Sequence, residues 1–203
     1  MRHIFAALVG AIVVFMWGFT AWAALDVYKF AFPRAANEVA ITEAFKEQLT
    51  VDGAYMLPAR PDGYGSAAPD EATQKAFESF ETRLKSGPIA LVFYSKDGME
   101  PVEPMELVRG FGIEFACSLL LTCLLSTVAG GVGKKVFFGF TVALFGATAC
   151  YGVTGNFMHF PLAFTFACWI DALISWTLCS FVISCILKGS CTKCGKSSVA
   201  VVA

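Results

Sequence analysis

Two carboxylates stand inside apolar stretches of this chain. Asp171 interrupts the run 160–187, and Glu114 interrupts the run 110–132. Asp171 falls 11 residues after Phe160, roughly 16 Å along a helix at 1.5 Å per residue, which predicts a position near the centre of a bilayer. An acid there costs at least about 2.5–3.5 kcal/mol and faces protein or water rather than lipid. Such a group can serve as an ion or proton site, or as an anchor for a partner. It can equally be an interhelical contact satisfied by Ser, Thr or Trp donors. Ala167 and Ser175 lie one helical turn either side of it, and Ala163 one turn further, so this face permits close helix contact.

Glu114 follows Arg109 by five residues, about 7–8 Å into its span and within reach of interfacial water. Asn156 and His159 belong to the same side of the membrane by order along the chain. The four residues Arg109, Glu114, Asn156 and His159 either form a polar site at the outer rim or are independent interfacial groups. Glu114 and Asp171 differ in depth by roughly 8–9 Å, so a relay through water or hydroxyls is open and a direct carboxyl pair is not expected.

The remaining candidates are weaker. Cys191 and Cys194 have C-x-x-C spacing, but a closed zinc site needs four ligands and no second pair lies nearby, so two free thiols are expected and no metal is assigned. The other six of the eight cysteines fall in apolar runs and none lies in 26–106, which excludes a disulfide-stapled secreted domain. The two histidines, His3 and His159, fall on opposite sides of the predicted membrane, which disfavours haem ligated by both; no cofactor is expected. There is no G-x-S-x-G elbow, H-E-x-x-H pair or Walker loop, so no enzymatic activity is expected. The segment 130–134, Gly-Gly-Val-Gly-Lys, follows an apolar run rather than a strand and reads as a cytoplasmic turn.

The elements that must hold these residues follow from the distribution of charge. Of 203 residues, 57% are hydrophobic and 15% charged, against about 25% charged in soluble domains. A net charge of −1 lacks the basic footprint of a nucleic-acid binder. Four apolar segments are long enough to cross a hydrocarbon core of about 30 Å. They are expected at 4–25, 107–132, 136–155 and 157–187, with a tail at 188–203. The first exceeds the usual signal-peptide core, although Ala21-Trp22-Ala23 has the small-x-small form of a cleavage site, and it is read as a retained helix. Gly152, Gly155 and Asn156 predict the turn between the last two spans.

Orientation follows from Lys and Arg. Arg2, Lys134, Lys135, Lys188, Lys193 and Lys196 all fall on one side of a four-span topology, whereas 26–109 holds 14 acids and 9 bases. Both termini are thus expected in the cytoplasm, and 26–106 in the periplasm if the membrane is a bacterial inner membrane. The outer segment predicts the order α-β-α-β. Its first helix, 37–49, offers Val39, Ile41, Ala44, Phe45 and Leu49 to a core; strands follow at 54–57 and 89–94. A second helix opening at Pro69-Asp70-Glu71 carries Phe77, Phe80 and Leu84 on one face. The expected fold is a membrane protein: an all-α bundle of four transmembrane helices, with a small α+β extracytoplasmic domain inserted between the first two. A faint repeat, Ala7-Leu8-Val9-Gly10-Ala11 against Ala143-Leu144-Phe145-Gly146-Ala147, is either the trace of two parallel hairpins or a coincidence among apolar segments.

The segments Ala7-Leu8-Val9-Gly10, Phe15-Met16-Trp17-Gly18 and Gly53-Ala54-Tyr55-Met56-Leu57-Pro58 resemble those of an uncharacterised family of small bacterial inner-membrane proteins. So do Gly87-Pro88 and Phe160-Pro161-Leu162-Ala163, the latter followed by Asp171 and Trp176. The resemblance runs from residue 5 to about 187 and implies four spans with an outer domain; it carries no activity and no catalytic residue. The expected function is that of a non-enzymatic accessory or assembly subunit of a larger membrane complex. The expected partners are the lipid bilayer and other membrane subunits or further copies of itself, with no nucleic acid. The alternative is a small transporter or ion-conducting homo-oligomer using Asp171.

Overall fold

The computed structural model describes residues 1–188. The chain divides into two compact units, one formed by Met1–Pro33 with the segment from Val102 onward, the other by Arg34–Pro101.

The first unit is helical. Helix α1 (Arg2–Phe19) continues into a π-helical turn, Thr20–Ala24. The second unit supplies α2 (Glu38–Gln48), β1 (Gly53–Leu57), α3 (Glu71–Ser86) and β2 (Ala90–Tyr94). The chain then returns to the first unit as α4 (Pro104–Thr127), α5 (Val132–Ala147), a second π-helical stretch (Thr148–Val153), the short α6 (Thr154–Phe157) and α7 (Leu162–Leu187). Four helical segments are long and apolar enough to cross a membrane: Arg2–Ala24, Pro104–Thr127, Val132–Phe157 and Leu162–Leu187.

These helices do not form a closed square. Helix α1 packs on both α4 and α7, and α7 packs on α5, while α4 and α5, neighbours in sequence, barely touch. Small residues set the close contacts. Ala6, Ala7, Gly10, Ala11 and Val14 line the buried face of α1. A β-carbon on Gly10 would run into the Ser118 hydroxyl and lie 2.9 Å from Cys179 Sγ. Gly139, Ala143 and Ala147 form the buried stripe of α5, with Gly139 directly against Ser180 of α7. Where apolar burial discriminates little between lipid and protein, close backbone approach of this kind drives association. The Ser118 hydroxyl donates to the Ala7 carbonyl at 2.8 Å. Above and below it, Leu121, Leu125, Cys179 and Ile183 complete the core.

The glycines mark one of the two turns and miss the other. The α4–α5 connection is 128–131, earlier than Lys134-Lys135, because Gly130 takes φ +124° and Gly131 caps α5. Both lysines therefore sit in the first turn of α5. Gly152, Gly155 and Asn156 lie within helix rather than in a turn. The chain reverses at 158–161, where His159 adopts φ +56° and Pro161 precedes α7. Gly155 serves instead for close approach, since a β-carbon there would lie 2.9 Å from Thr165 Oγ1. The repeat holds in part. Ala7 and Ala11 are buried, as are Ala143 and Ala147, but Gly10 is enclosed whereas Gly146 faces open space.

In the second unit β1 and β2 pair antiparallel, Gly53 opposite Tyr94 and Leu57 opposite Ala90. Asn37 caps α2 by accepting from Ala40 N, and Asp70 caps α3 by accepting from Thr73 N at 2.7 Å, satisfying backbone donors that a helix start leaves free. Phe77 and Phe80 are buried and meet Tyr64 edge-on at 5.1 and 5.0 Å. The apolar face expected of α2 is not covered: Val39 and Ile41 are exposed, Phe45 is half-buried and only Leu49 is buried. Leu84 is likewise exposed. Helical periodicity marks which residues share a face; with one two-stranded sheet, this unit has too little surface to cover every such face.

Candidate functional site

Asp171 is the hub of the polar contacts between α1 and α7. Its Oδ1 accepts from the indole Nε1 of Trp17 at 2.6 Å, and its Oδ2 accepts from the Tyr28 hydroxyl at 2.8 Å. Both oxygens are thus met by neutral donors, and among the described residues no cation pairs with the group.

Sequence alone accounts for one of these donors. Trp17 lies seven residues before Ala24, and Asp171 nine after Leu162, so in antiparallel helices they stand at comparable depth. Tyr28 lies beyond the end of the first apolar helix. It reaches Asp171 because the chain folds back after Ala24: Asp26 takes φ +46°, Val27 N donates to Ala21 O and Ala31 N to Tyr28 O. The contact with this turn falls in the N-terminal half of α7, where Asp171 stands.

An aromatic collar encloses the turn. Trp22 stacks on Tyr28 at 4.3 Å, Phe32 meets Phe164 edge-on at 5.6 Å, and Phe160 meets Phe164 at 5.5 Å. Tyr28 and Ala31 are buried against Ala167 and Cys168, with Tyr151 from the second π-helical stretch packed alongside. Burial, and then its bond to the Asp171 carboxylate, hold the Tyr28 phenol well above its ordinary pKa. Tyr28 therefore keeps its proton and remains a donor throughout the physiological range.

The other candidate residues are dispersed. Ser175 is buried, but its hydroxyl donates to the Ala172 carbonyl at 3.2 Å and not to Asp171. Glu114 is half-buried, and among the described residues its enclosed Oε2 has no hydrogen-bond partner. Arg109 approaches Glu103 at 3.6 Å instead of Glu114. Asn156 and His159 do come together, in a cleft of about 560 Å³ shared with Thr148, Thr165 and Trp169, whose lining includes neither Arg109 nor Glu114. The four rim residues therefore do not form one site. Cys191 and Cys194 lie outside the described residues. Among the described residues no three His, Cys, Asp or Glu side chains converge as a metal site would need.

No family model, curated protein or solved structure matches this chain. The residues themselves carry the reading that follows.

Proposed function

We propose that the chain is a non-enzymatic integral membrane protein that serves as an accessory or assembly subunit of a larger membrane complex. On this reading the four long helices span a bacterial inner membrane, both termini are cytoplasmic and residues 26–106 are periplasmic. The observation that carries it is the groove between α4 and α5. It has a volume of about 330 Å³, walls of Leu120, Leu124, Gly146 and Cys150, and a floor of Ala172 and Trp176 from α7. The best apolar windows of α4 and α5 are only 17% buried, against 33% for α1 and α7. Small residues along one wall give a partner helix room to approach. The uncovered Val39, Ile41 and Phe93 of the second unit supply further apolar surface for protein contact. The Asp171 clamp, in this view, fixes the outer ends of α1 and α7 so that the groove keeps its shape.

Gly146→Leu tests the reading. A β-carbon at Gly146 meets nothing within 4 Å, and Gly146 lines the groove, so a larger side chain there enters the groove; thermal unfolding of the variant checks that the fold is kept. Proteins that co-purify with the wild type in mild detergent should be lost from the variant. Purification of the wild type from native membranes as a stable lone monomer would sink the proposal.

The enclosed, unpartnered Oε2 of Glu114 favours a second reading, a small ion-conducting or transporting homo-oligomer in which Glu114 and Asp171 handle the cargo. Proteoliposome flux that survives Asp171→Asn unchanged would eliminate it.

A further inference from the structure

At the end of the first unit opposite Asp171, the C-terminus of α4, the N-terminus of α5 and the C-terminus of α7 surround a pocket of about 330 Å³. Its polar lining is His3, Ser126, Thr127, Lys135, Ser184 and Lys188. Among the described residues no acidic side chain lines it, and the sequence leaves few that could approach. The chain holds no Asp or Glu before Asp26, between Glu114 and Asp171, or after Asp171. Asp171 itself lies 17 residues from Lys188, about 25 Å along α7.

Three features of this pocket call for an anion. Lys135 is only 9% exposed, and a buried ammonium needs a compensating charge. It donates to the Leu125 carbonyl, one of those left free at the end of α4, which occupies one of its three N–H groups. Ser184 is fully buried and, among the described residues, its hydroxyl has no partner, although a buried hydroxyl in this setting is ordinarily hydrogen-bonded. Finally, among the described residues no side chain caps the start of α5. The first intrahelical N–H bond there, from Lys135 N to Gly131 O, leaves the N–H groups of Val132, Gly133 and Lys134 without helical acceptors, at the end of the helix that favours negative charge.

We propose that this pocket binds a phosphate group. Lys135 and Lys188 supply charge, Ser184 donates its hydroxyl, and the first turn of α5 presents backbone N–H groups. An anionic phospholipid headgroup and free inorganic phosphate share this chemistry. The volume is at the lower end of ordinary ligand pockets, about 300–1,000 Å³, and suits a single headgroup.

The test uses the delipidated full chain in neutral detergent, with binding followed by thermal shift and by native mass spectrometry. It is titrated separately with inorganic phosphate, short-chain phosphatidylglycerol and short-chain phosphatidylcholine. Saturable binding of phosphatidylglycerol in preference to phosphatidylcholine supports the site with lipid as its source. Saturable binding of inorganic phosphate with comparable strength supports it with a free anion as the source. In either case Ser184→Ala should weaken binding about tenfold, as expected for loss of a hydrogen bond to a charged group. Lys188→Gln, at an exposed position, should weaken it about fivefold. Binding that does not saturate for either phosphate probe, or that both variants leave unchanged, overturns the proposal. Lys188→Gln alters no buried contact, so the test stands even if Ser184→Ala fails to fold.

Discussion

The indole N–H of Trp17 lies 2.6 Å from Oδ1 of Asp171, joining residues 154 positions apart in sequence. With the Tyr28 hydroxyl on the other oxygen, the carboxylate ties together one helix, the turn after that helix and a second helix. An acid in an apolar unit thus has a structural employment that needs no counter-charge. The geometry matches the expectation of an interhelical contact satisfied by a Trp donor.

Removing either donor leaves one carboxylate oxygen unsatisfied. Trp17→Phe and Tyr28→Phe should each destabilise the first unit by about 1–3 kcal/mol, the cost of stranding a buried acceptor. Since both donors serve one group, the double variant should depart from additivity by at least about 0.5 kcal/mol. Thermal or denaturant unfolding of the four proteins in one detergent measures this. Additive effects near zero would mean that the clamp contributes nothing.

Gly10 and Gly146 occupy matching places in the faint repeat but not in space. Gly10→Ala drives a β-carbon into Ser118 and Cys179, and overpacking of this kind costs about 1–3 kcal/mol. Gly146→Ala meets open space and should gain up to about 1 kcal/mol from helix propensity. Adding Ser118→Ala to Gly10→Ala removes the nearest obstacle and should restore part of the loss. Ser118→Ala alone should cost roughly 0.6 kcal/mol, an average interhelical hydrogen bond between apolar helices. Equal effects at the two glycines would contradict the packing described here.

How far the sequence could lead is visible at particular residues. Apolar length located the four long helices, because a run of about 20 residues is a coarse and robust signal. Helical spacing from Asn37, and Pro with acids at Pro69-Asp70-Glu71, placed the helix starts because first-turn preferences are local; that Asn37 and Asp70 are the caps is visible only in the structure. The glycines near 152–156 misled because glycine serves close approach as well as turning, and the order of residues does not separate the two. Tyr28 was not foreseen as a donor to Asp171: it reaches the carboxylate through a fold-back at Asp26, and a positive φ at a non-glycine residue has no strong sequence signature. The gap between α4 and α5 was hidden for a related reason. Adjacency along the chain predicts adjacency in space, and here α5 places its small-residue stripe against α7 instead.

The cap on α3 carries a pH dependence of known sign. The hydrogen bond from Thr73 to the Asp70 side chain holds this carboxyl below its ordinary value. A group with a depressed folded pKa stabilises the folded state above its unfolded pKa, about 3.9 for Asp. That contribution is lost as pH falls through the folded value. Protection of α3 amides from hydrogen exchange should therefore decline below about pH 4 in the wild type. Asn is as good a cap but does not titrate, so Asp70→Asn should remove this component while preserving protection near neutrality. A decline of the same size in Asp70→Asn would assign it to other carboxylates.

The second unit rests on very few side chains, and Phe80 is the one most exposed to test. Leu49, Phe77 and Phe80 are its buried large apolar residues, and Tyr64 bridges the two phenylalanines edge-on. Truncating a buried Phe to Ala costs about 3–5 kcal/mol, a large fraction of the stability available to a unit this small. Phe80→Ala should abolish amide protection across α3. Tyr64→Phe keeps the ring contacts and loses only the 3.2 Å bond to Glu81, a single part-buried side-chain bond worth about 0.5–1.5 kcal/mol, so α3 should stay protected. The Tyr64 phenol is itself raised above its ordinary pKa, first by that bond to Glu81, and a tyrosinate titration that is shifted in the wild type should return toward the ordinary value in Glu81→Gln. Hydrogen exchange on the full chain separates these cases. Protection of α3 that persists in Phe80→Ala would show that the aromatic trio is not what holds the helix.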